Sequence, residues 1–353
     1  MKRDTRAACK TMDAVVLTAS GSPEYFRLVA RPLPAPCPDE VRIRIRAAGF
    51  NPMDFQMRKS AHRDDLPLIL GGEVAGEIDE VGSSVTSLAA GDPVLSYLVQ
   101  RNGGYAEYVC VPAVFVAPKP PNLSFAEAAA VPVAGLTAYE AILRADVRPG
   151  DSVLVAGASG GVGSLAVQLA RMRGPDRIVV TAGSDSSARY LRDRLEIDPR
   201  SILRYSGLSR DELSEAALDR NGGRPYRVAF DFVGGAMTSL CADVVDVEGE
   251  VVGIVNGPRD ATHRKPENDE DPLFDKSATF HFLQTSAWAA EGSPSLARRY
   301  AQRLGDLVQF LEACDLIPPA VHELRGLSVH SVRTAHALLE TGHVQGKLVM
   351  TVA

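Results

Sequence analysis

The sequence predicts an α/β protein of two domains, a small barrel or sandwich of short strands and a doubly wound parallel sheet covered by helices. The chain has 353 residues, which corresponds to about two domains at roughly 150 residues each. From Met12 to about Ser124, short alternating runs are broken by Gly, Pro and Asp. Near Phe125, strand candidates begin to alternate with helix candidates. Because parallel strands need long crossover connections, this second pattern is typical of βαβ units.

The first region contains strands with one apolar face. Its clearest strand is 41–46, where three β-branched residues alternate with three arginines, so we expect the arginines on a solvated face. Turn signals such as Gly91-Asp92 bound the other candidates. Further strands are predicted over 73–81, 92–98 and 104–111.

The second region has the strand and helix order of a parallel sheet. Its predicted strands are 152–156, 177–182, 201–205, 226–232, 250–255 and 278–285. Its predicted helices are 125–130, 135–144, 162–172, 187–195, 211–219 and 236–244. Beyond Pro294 we expect a long helix to about Cys314, a strand near Val321, a helix over 332–339 and a strand over 347–352.

Composition excludes several classes of protein. The net charge is −6, with 23% charged residues, which does not fit a nucleic-acid binder or a polybasic membrane-surface protein. Five cysteines lie singly, without a C-x-x-C pair, so neither a disulfide framework nor a clustered zinc site is predicted. The composition favours a cytoplasmic protein that acts on a small molecule. Residues 1–11 are interpreted as an extension before Met12, or as a weak targeting leader.

A glycine-rich turn predicts a dinucleotide site. Gly157, Gly160 and Gly163 follow a hydrophobic strand and open an amphipathic helix. Their spacing permits a tight turn, close approach of the backbone to a pyrophosphate and close packing of helix on strand. The helix N-terminus supplies free N–H groups for the phosphates. The alternative is a structural turn without a ligand.

The end of the next strand predicts the cofactor. Gly183 stands where an acidic residue would bind the ribose hydroxyls of NADH. Ser184, Ser187 and Arg189 follow it and can accommodate a 2′-phosphate, so NADPH is favoured. Asp185 is an opposing signal, because its carboxylate can turn toward the ribose. Arg189 can equally lie on a solvated helix face.

A hydrolase is the rival interpretation of the same turn. Residues 157–161 also satisfy G-x-S-x-G, which would make Ser159 a nucleophile. Asp231, with His281 or His330, would complete a triad in the right chain order. Gly163 counts against this alternative, because a nucleophile elbow does not need it.

The order of motifs resembles the medium-chain dehydrogenase/reductase superfamily, and within it the zinc-free quinone oxidoreductase branch. The resemblance covers 12–353 and rests on the following segments: 49–54 (GFNPMD), 70–76 (LGGEVAG), 80–82, 91–92, 103–108 (GGYAEY), 135–139 (GLTAY), 157–163, 231–234 and 346–347. It implies a GroES-like β-barrel catalytic domain over 12–133, a Rossmann NADP-binding domain over 134–285, and a C-terminal part of the catalytic domain over 286–353. It also implies an active site in the cleft between the domains.

The resemblance also bears on metal use. Zinc alcohol dehydrogenases of this superfamily use a Cys, a His and a second Cys, and the matching positions here are Asn51, Gly72 and Val133. We therefore expect no metal, and reduction of quinones or α,β-unsaturated carbonyls rather than oxidation of alcohols. His330, His336 and His343 are spaced six and seven residues apart, which predicts surface positions rather than a metal site.

The resemblance assigns roles to individual residues. Asn51 matches an Asn near the nicotinamide and the substrate carbonyl, although it can also be a simple turn residue. Gln56 stands where several relatives have Tyr, which implies a different substrate pocket. Tyr105 is a candidate minor proton donor, with barrel packing as its alternative. The residues assigned to cofactor binding are Thr137, Gly157, Ser159, Gly160, Gly161, Val162, Gly163, Gly183, Ser184, Ser187, Arg189, Tyr205, Val233 and Lys347.

The predicted function is transfer of hydride from NADPH to a quinone or an activated C=C bond. Three alternatives stay open: an enoyl reductase of a biosynthetic pathway, the Ser159 hydrolase, and a non-catalytic NADPH-binding protein. The strand over 278–285 is a candidate sheet edge. Relatives dimerise at this edge, so a homodimer is predicted.

Overall fold

The computed structural model describes residues 10–98, 102–255, 271–286 and 293–352, and these form two compact units. The first unit comprises the described residues of Met1–Val133, Trp288–Ala313 and Ala320–Ala353. The second comprises those of Ala134–Ala287 and Cys314–Pro319. The predicted leader, residues 1–11, lies almost entirely outside the described residues.

The strands and helices are numbered in chain order. The strands are β1 Thr11–Leu17, β2 Phe26–Pro32, β3 Glu40–Gly49, β4 Leu68–Ile69, β5 Glu73–Val81, β6 Pro93–Tyr97, β7 Tyr108–Pro112, β8 Val116–Pro118, β9 Ser152–Ala156, β10 Arg177–Ala182, β11 Ile202–Arg204, β12 Tyr226–Asp231, β13 Val245–Gly253, β14 Thr279–Phe282, β15 Val321–Arg325 and β16 Lys347–Thr351. The helices are α1 Pro52–Ser60, α2 Phe125–Ala129, α3 Pro132–Arg144, α4 Gly161–Met172, α5 Asp185–Leu195, α6 Arg210–Arg220, α7 Ala236–Val244, α8 Pro272–Asp275, α9 Pro294–Glu312 and α10 Val329–Glu340.

The first unit is built around strand β3. Val41, Ile43 and Ile45 point into the core, as their alternation predicts, and β3 pairs with β5 along its length. The other edge of β3 pairs with β7 and then with β16. The arginine face is not simply solvated, because Arg42 forms ion pairs with Asp79 and Glu80.

Strand β16 returns late in the chain to the middle of the first unit. It lies between β15, to which it is parallel, and β3, to which it is antiparallel. Val349 pairs with Gly49 in this register. Lys347 therefore lies beside the end of β3, where Asn51 follows.

The second unit is a parallel sheet with the strand order β11-β10-β9-β12-β13-β14. Every pairing in this sheet is parallel. Helices α4, α5, α6 and α7 connect successive strands from β9 to β13. This is the 3-2-1-4-5-6 order of the doubly wound Rossmann fold, so the predicted fold of this region is confirmed.

Several element limits differ from the predictions. The strand predicted over 104–111 is β7, and it begins at Tyr108, while 102–105 form a loop whose glycines lie against Gly71 and Val109. The strand predicted over 278–285 is only Thr279–Phe282. Helix α1 was not predicted, although Pro52 at its first position and Asp54, which accepts the backbone N–H of Asn51, are start signals.

None of the helices in the described part of the chain is both long and apolar enough to cross a membrane.

Candidate active site

Asn51 is held between two charged side chains in the interior of the first unit. It follows β3 in an extended conformation and precedes α1. Its Nδ2 donates to Glu73 Oε1 at 2.9 Å, and its Oδ1 accepts from Lys347 Nζ at 2.6 Å. Because a carboxylate only accepts and an ammonium group only donates, these contacts define which end of the amide is which. Asn51 is therefore more than a turn residue.

Glu73 and Lys347, which both contact the Asn51 amide, also form a buried ion pair with each other. Glu73 Oε2 also accepts the Val133 N–H at 2.7 Å, and Lys347 Nζ also donates to the Phe50 carbonyl at 3.0 Å. Gly49 makes room for this arrangement, because a Cβ there would lie 2.4 Å from Glu73 Oε1. The prediction that Lys347 binds the cofactor is not supported by these contacts, since its ammonium group has three partners inside the first unit.

A second buried polar group is joined to Asn51 through Asp54, which accepts the Asn51 backbone N–H. It consists of Asp54, Tyr105 and His336. Tyr105 Oη donates to Asp54 Oδ2 at 3.1 Å and lies 3.3 Å from His336 Nε2. Burial raises the pKa of Asp54 to about 7, and burial beside Asp54 raises that of Tyr105 well above its ordinary value. The Tyr105 hydroxyl has no surface exposure, so the geometry favours its alternative, packing within the barrel, over proton donation.

The prediction that His336 lies on the surface is wrong. His336 is completely buried on α10, and its ring lies edge-on to Phe26. Burial, helped by the nearby Arg58 charge, lowers the pKa of His336 to about 3. Gln56, by contrast, lies on the exposed side of α1, apart from the buried side that carries Asp54.

In the second unit, the glycine-rich turn has the geometry that a dinucleotide site needs. Gly157 follows β9 with a φ of +82°, and Gly160 is the N-cap of α4. A Cβ at Gly163 would lie 2.2 Å from the Gly157 carbonyl oxygen, so only glycine fits. Four further predicted residues are partly accessible at this turn or beside it: Ser159, Gly161, Val162 and Val233.

A second group of predicted cofactor residues lies where β10 and β11 end. A Cβ at Gly183 would lie 2.5 Å from Tyr205 Oη, so the glycine makes room for the tyrosine. Ser184 caps α5, and its Oγ accepts the Ser187 N–H at 3.1 Å and lies 2.9 Å from Ser187 Oγ. The two serines, Gly183 and Tyr205 thus lie close together, and their binding of a cofactor stays a prediction.

Arg204 lies at the same strand ends and is not among the predicted site residues. It is the last residue of β11 and forms an ion pair with Asp185, the first residue of α5. The hydrogen bond from Arg204 lowers the pKa of the Asp185 carboxyl. Arg189 is exposed on α5, and Thr137 is buried within α3. Arg204 was detectable, because it directly precedes Tyr205 at the end of the predicted strand.

Two candidates for the hydrolase triad, Asp231 and His281, have other hydrogen-bond partners. Asp231 closes a turn, since its carboxylate accepts from Val233 N at 3.0 Å and Gly234 N at 2.7 Å. His281 Nε2 lies 2.7 Å from Glu250 Oε2. Across the described residues, no group of three or more His, Cys, Asp or Glu side chains is arranged to hold a metal ion.

Comparison with known families bears out the predicted architecture. Residues 37–121 match the alcohol dehydrogenase GroES-like domain, and residues 209–350 match the family described as zinc-binding dehydrogenase. The GroES-like prediction for the first unit is thereby confirmed.

Individual relatives agree with this assignment. The 2-methylene-furan-3-one reductase of Solanum lycopersicum is 37% identical over 273 residues, which are 70% of this chain and 69% of the relative. A chloroplastic NADPH-dependent alkenal/one oxidoreductase of Arabidopsis thaliana is 32% identical over 259 residues, 69% of this chain and 63% of the relative. The structure of the quinone oxidoreductase from Coxiella burnetii aligns with a TM-score of 0.75 and 28% identity, over 98% of this chain and all of that one.

Fold, sites and relatives together define the class of protein as an oxidoreductase with a GroES-like part and a Rossmann-like sheet. More narrowly, the chain belongs to the medium-chain dehydrogenase/reductase superfamily, in its quinone oxidoreductase branch, as its motifs predict.

Proposed function

We propose that this protein is an NADPH-dependent reductase that transfers hydride to a quinone or to the C=C bond of an α,β-unsaturated carbonyl. The observation that carries the proposal is the oriented Asn51 amide, at the position where zinc-dependent members have a cysteine. An amide donor stabilises negative charge on an oxygen without a metal. The acceptor classes in the names of the relatives, quinones and alkenals or enones, develop such a charge when they accept hydride.

The residues of the second unit fit a nicotinamide dinucleotide. Glycine at 157 and 163 lets the turn pack tightly against Val233 and against the start of α4, and the N-terminus of α4 supplies free N–H groups for a pyrophosphate there. Gly183 and Tyr205 would hold the adenosine end, with Ser184, Ser187 and Arg204 beside the 2′-phosphate. When bound, the reduced nicotinamide supplies the hydride.

The role of Asn51 follows from its chemistry. As hydride adds to the far end of a conjugated carbonyl or quinone, charge builds on the oxygen and forms an enolate or quinolate. An N–H donor that is already oriented stabilises this charge without rearranging during the reaction. The protein also positions the acceptor, and the final proton comes from solvent or from a minor donor.

Three further statements stay predictions. We propose that the catalytic domain comprises 12–133 and 286–353, and that the cofactor domain comprises 134–285. A homodimer through the edge strand β14 is consistent with the exposed side chain of Phe282. A cytoplasmic location rests on composition alone.

The proposal is tested with NADPH, NADH and three acceptors: 9,10-phenanthrenequinone, 3-penten-2-one and crotonyl thioester. We expect NADPH to quench the protein fluorescence and to be oxidised with the quinone or the enone. Preference for the thioester would favour the enoyl reductase alternative. NADPH binding without any turnover would favour a non-catalytic protein, and labelling of Ser159 by a fluorophosphonate would favour a hydrolase.

A further inference from the structure

Three residues from distant parts of the chain converge on one amide group. Asn51 follows β3, Glu73 begins β5 and Lys347 begins β16. All three side chains are buried. The Glu73 carboxylate contacts the nitrogen end of the Asn51 amide, and the Lys347 ammonium contacts its oxygen end.

The two charges leave the amide a single orientation. If the Asn51 amide were turned over, its oxygen would face the Glu73 carboxylate and its NH₂ group would face the Lys347 ammonium. Both contacts would then be repulsive, and each would leave a buried charge without its hydrogen bond. In the observed orientation one Nδ2 hydrogen binds Glu73, and the second hydrogen is left for a further acceptor.

The ion pair also strengthens that second donor. An ammonium group at Oδ1 withdraws electron density from the amide and polarises its N–H bonds. With Oδ1 already bound to Lys347 Nζ at 2.6 Å, the amide offers a donor rather than an acceptor to its surroundings.

We propose that Glu73 and Lys347 are positioning residues, which orient the Asn51 amide as a hydrogen-bond donor to the substrate oxygen. This inference rests on the proposed reductase function. Stability alone is a poor explanation for the pair, because replacing a buried ion pair by neutral groups of similar size is often neutral or stabilising.

The central test is the double variant Glu73→Gln/Lys347→Met. It removes both charges at similar volume, so no unpaired buried charge remains. We expect kcat to fall about 10-fold to 100-fold, because a misplaced donor loses much of its effect. The dissociation constant of NADPH, measured by fluorescence, should not change. A matched control is Arg210→Met/Asp243→Asn, which removes a partly buried ion pair of the second unit and should leave kcat unchanged.

A mutant cycle shows whether the pair acts through Asn51. In an Asn51→Ala background, the Glu73/Lys347 double variant should cause no further loss of kcat. Additive losses in kcat would overturn the inference. If Asn51→Ala alone keeps full turnover, the proposed role of Asn51 fails first. If Asn51→Ala loses turnover while the Glu73/Lys347 variant keeps it, only the positioning role fails.

A spectroscopic readout needs no activity, and it is taken on the unmodified protein. The chain has six asparagines, so selective ¹⁵N-asparagine labelling gives few side-chain amide signals. The signal lost in Asn51→Ala belongs to Asn51 and, in the unmodified protein, should show one strongly shifted, slowly exchanging Nδ2 proton. Two ordinary, rapidly exchanging protons would contradict the inference.

Discussion

The two candidate sites hold their polar groups in opposite ways. In the first unit, Asn51, Glu73 and Lys347 are buried and hydrogen-bonded to one another. Asn51 and Lys347 form one of these hydrogen bonds although they are 296 residues apart in the chain. In the second unit, the residues from Gly157 to Tyr205 follow closely along the chain and include partly exposed groups. The donor proposed for the substrate oxygen is thus enclosed, whereas the groups proposed to bind a phosphate are accessible.

The strongest test of this contrast is removal of the enclosed donor. We expect Asn51→Ala to lower kcat about 100-fold to 1,000-fold, as loss of an oxyanion donor does, and to leave the NADPH dissociation constant unchanged. Steady-state kinetics with 3-penten-2-one check the first part, and fluorescence titration checks the second. Ser60→Ala, on the exposed side of the same helix, is the control. Unchanged turnover in Asn51→Ala would remove the catalytic role from the first unit.

In the glycine-rich turn of the second unit, by contrast, a substitution should weaken NADPH binding. Gly163→Ala places a Cβ against the Gly157 carbonyl oxygen, which forces the turn to move. We expect the displaced turn to weaken NADPH binding by an amount similar to an overpacking cost, about 1–3 kcal/mol, which is about 5-fold to 150-fold. Gly305→Ala, where a Cβ would meet nothing within 4 Å, is the matched control. Equal affinity of NADPH for both variants would contradict the assignment of the turn.

The preference between the two cofactors should depend on Arg204. Its guanidinium is expected to leave Asp185 and bind the 2′-phosphate, so Arg204→Ala should weaken NADPH about tenfold relative to NADH. Asp185→Asn should strengthen NADPH binding, because it removes a competing charge. Arg200→Ala, which breaks an exposed ion pair with Asp198, serves as control. If Arg204→Ala weakens the binding of NADPH and NADH equally, Arg204 has a structural role and does not bind the 2′-phosphate.

The smallest expected effect is the net pH dependence of stability in the unmodified protein, because two buried groups of the first unit oppose each other. Burial raises the pKa of Asp54 to about 7 in the folded state, so Asp54 lowers the free energy of unfolding as the pH rises from about 4 to 7. Burial lowers the pKa of His336 to about 3, so His336 lowers that free energy as the pH falls from about 6.5 toward 3. Each slope approaches about 1.4 kcal/mol per pH unit, and the two cancel between about pH 4 and 6.5.

Single variants should expose each dependence separately. By urea unfolding across that range, Asp54→Asn should become more stable as the pH rises, and His336→Gln less stable. The same pH dependence in both variants and in the unmodified protein would show that neither group titrates as its burial requires.

The sequence predicts the fold of the second unit well because the signals there are local. The glycines at 157, 160 and 163 lie at the junction of β9 and α4, so the sequence contains both their spacing and the strand and helix that flank them. Gly183 and Tyr205 end consecutive strands of one parallel sheet, and such strand ends meet at one edge. The fold class followed from the same alternation of strands and helices.

The enclosed site depends on pairings between distant segments, which periodicity does not encode. One signal was present: Glu73 is followed by Val-Ala-Gly and Lys347 by Leu-Val-Met, and opposite charges beside such apolar runs tend to meet. His336 was assigned to the surface from the spacing of histidines alone. It lies four residues after Val332, which places it on the same buried helix face.

Strand β16 has a consequence for biosynthesis. Glu73 precedes Lys347 by 274 residues, so on the ribosome the carboxylate emerges long before its cationic partner. Until β16 inserts beside β3, the nascent first unit carries an acidic group that has no ammonium to neutralise it. We therefore expect the second unit, most of which is one continuous segment, to fold during translation, and the first unit to be completed only after Lys347 has left the exit tunnel.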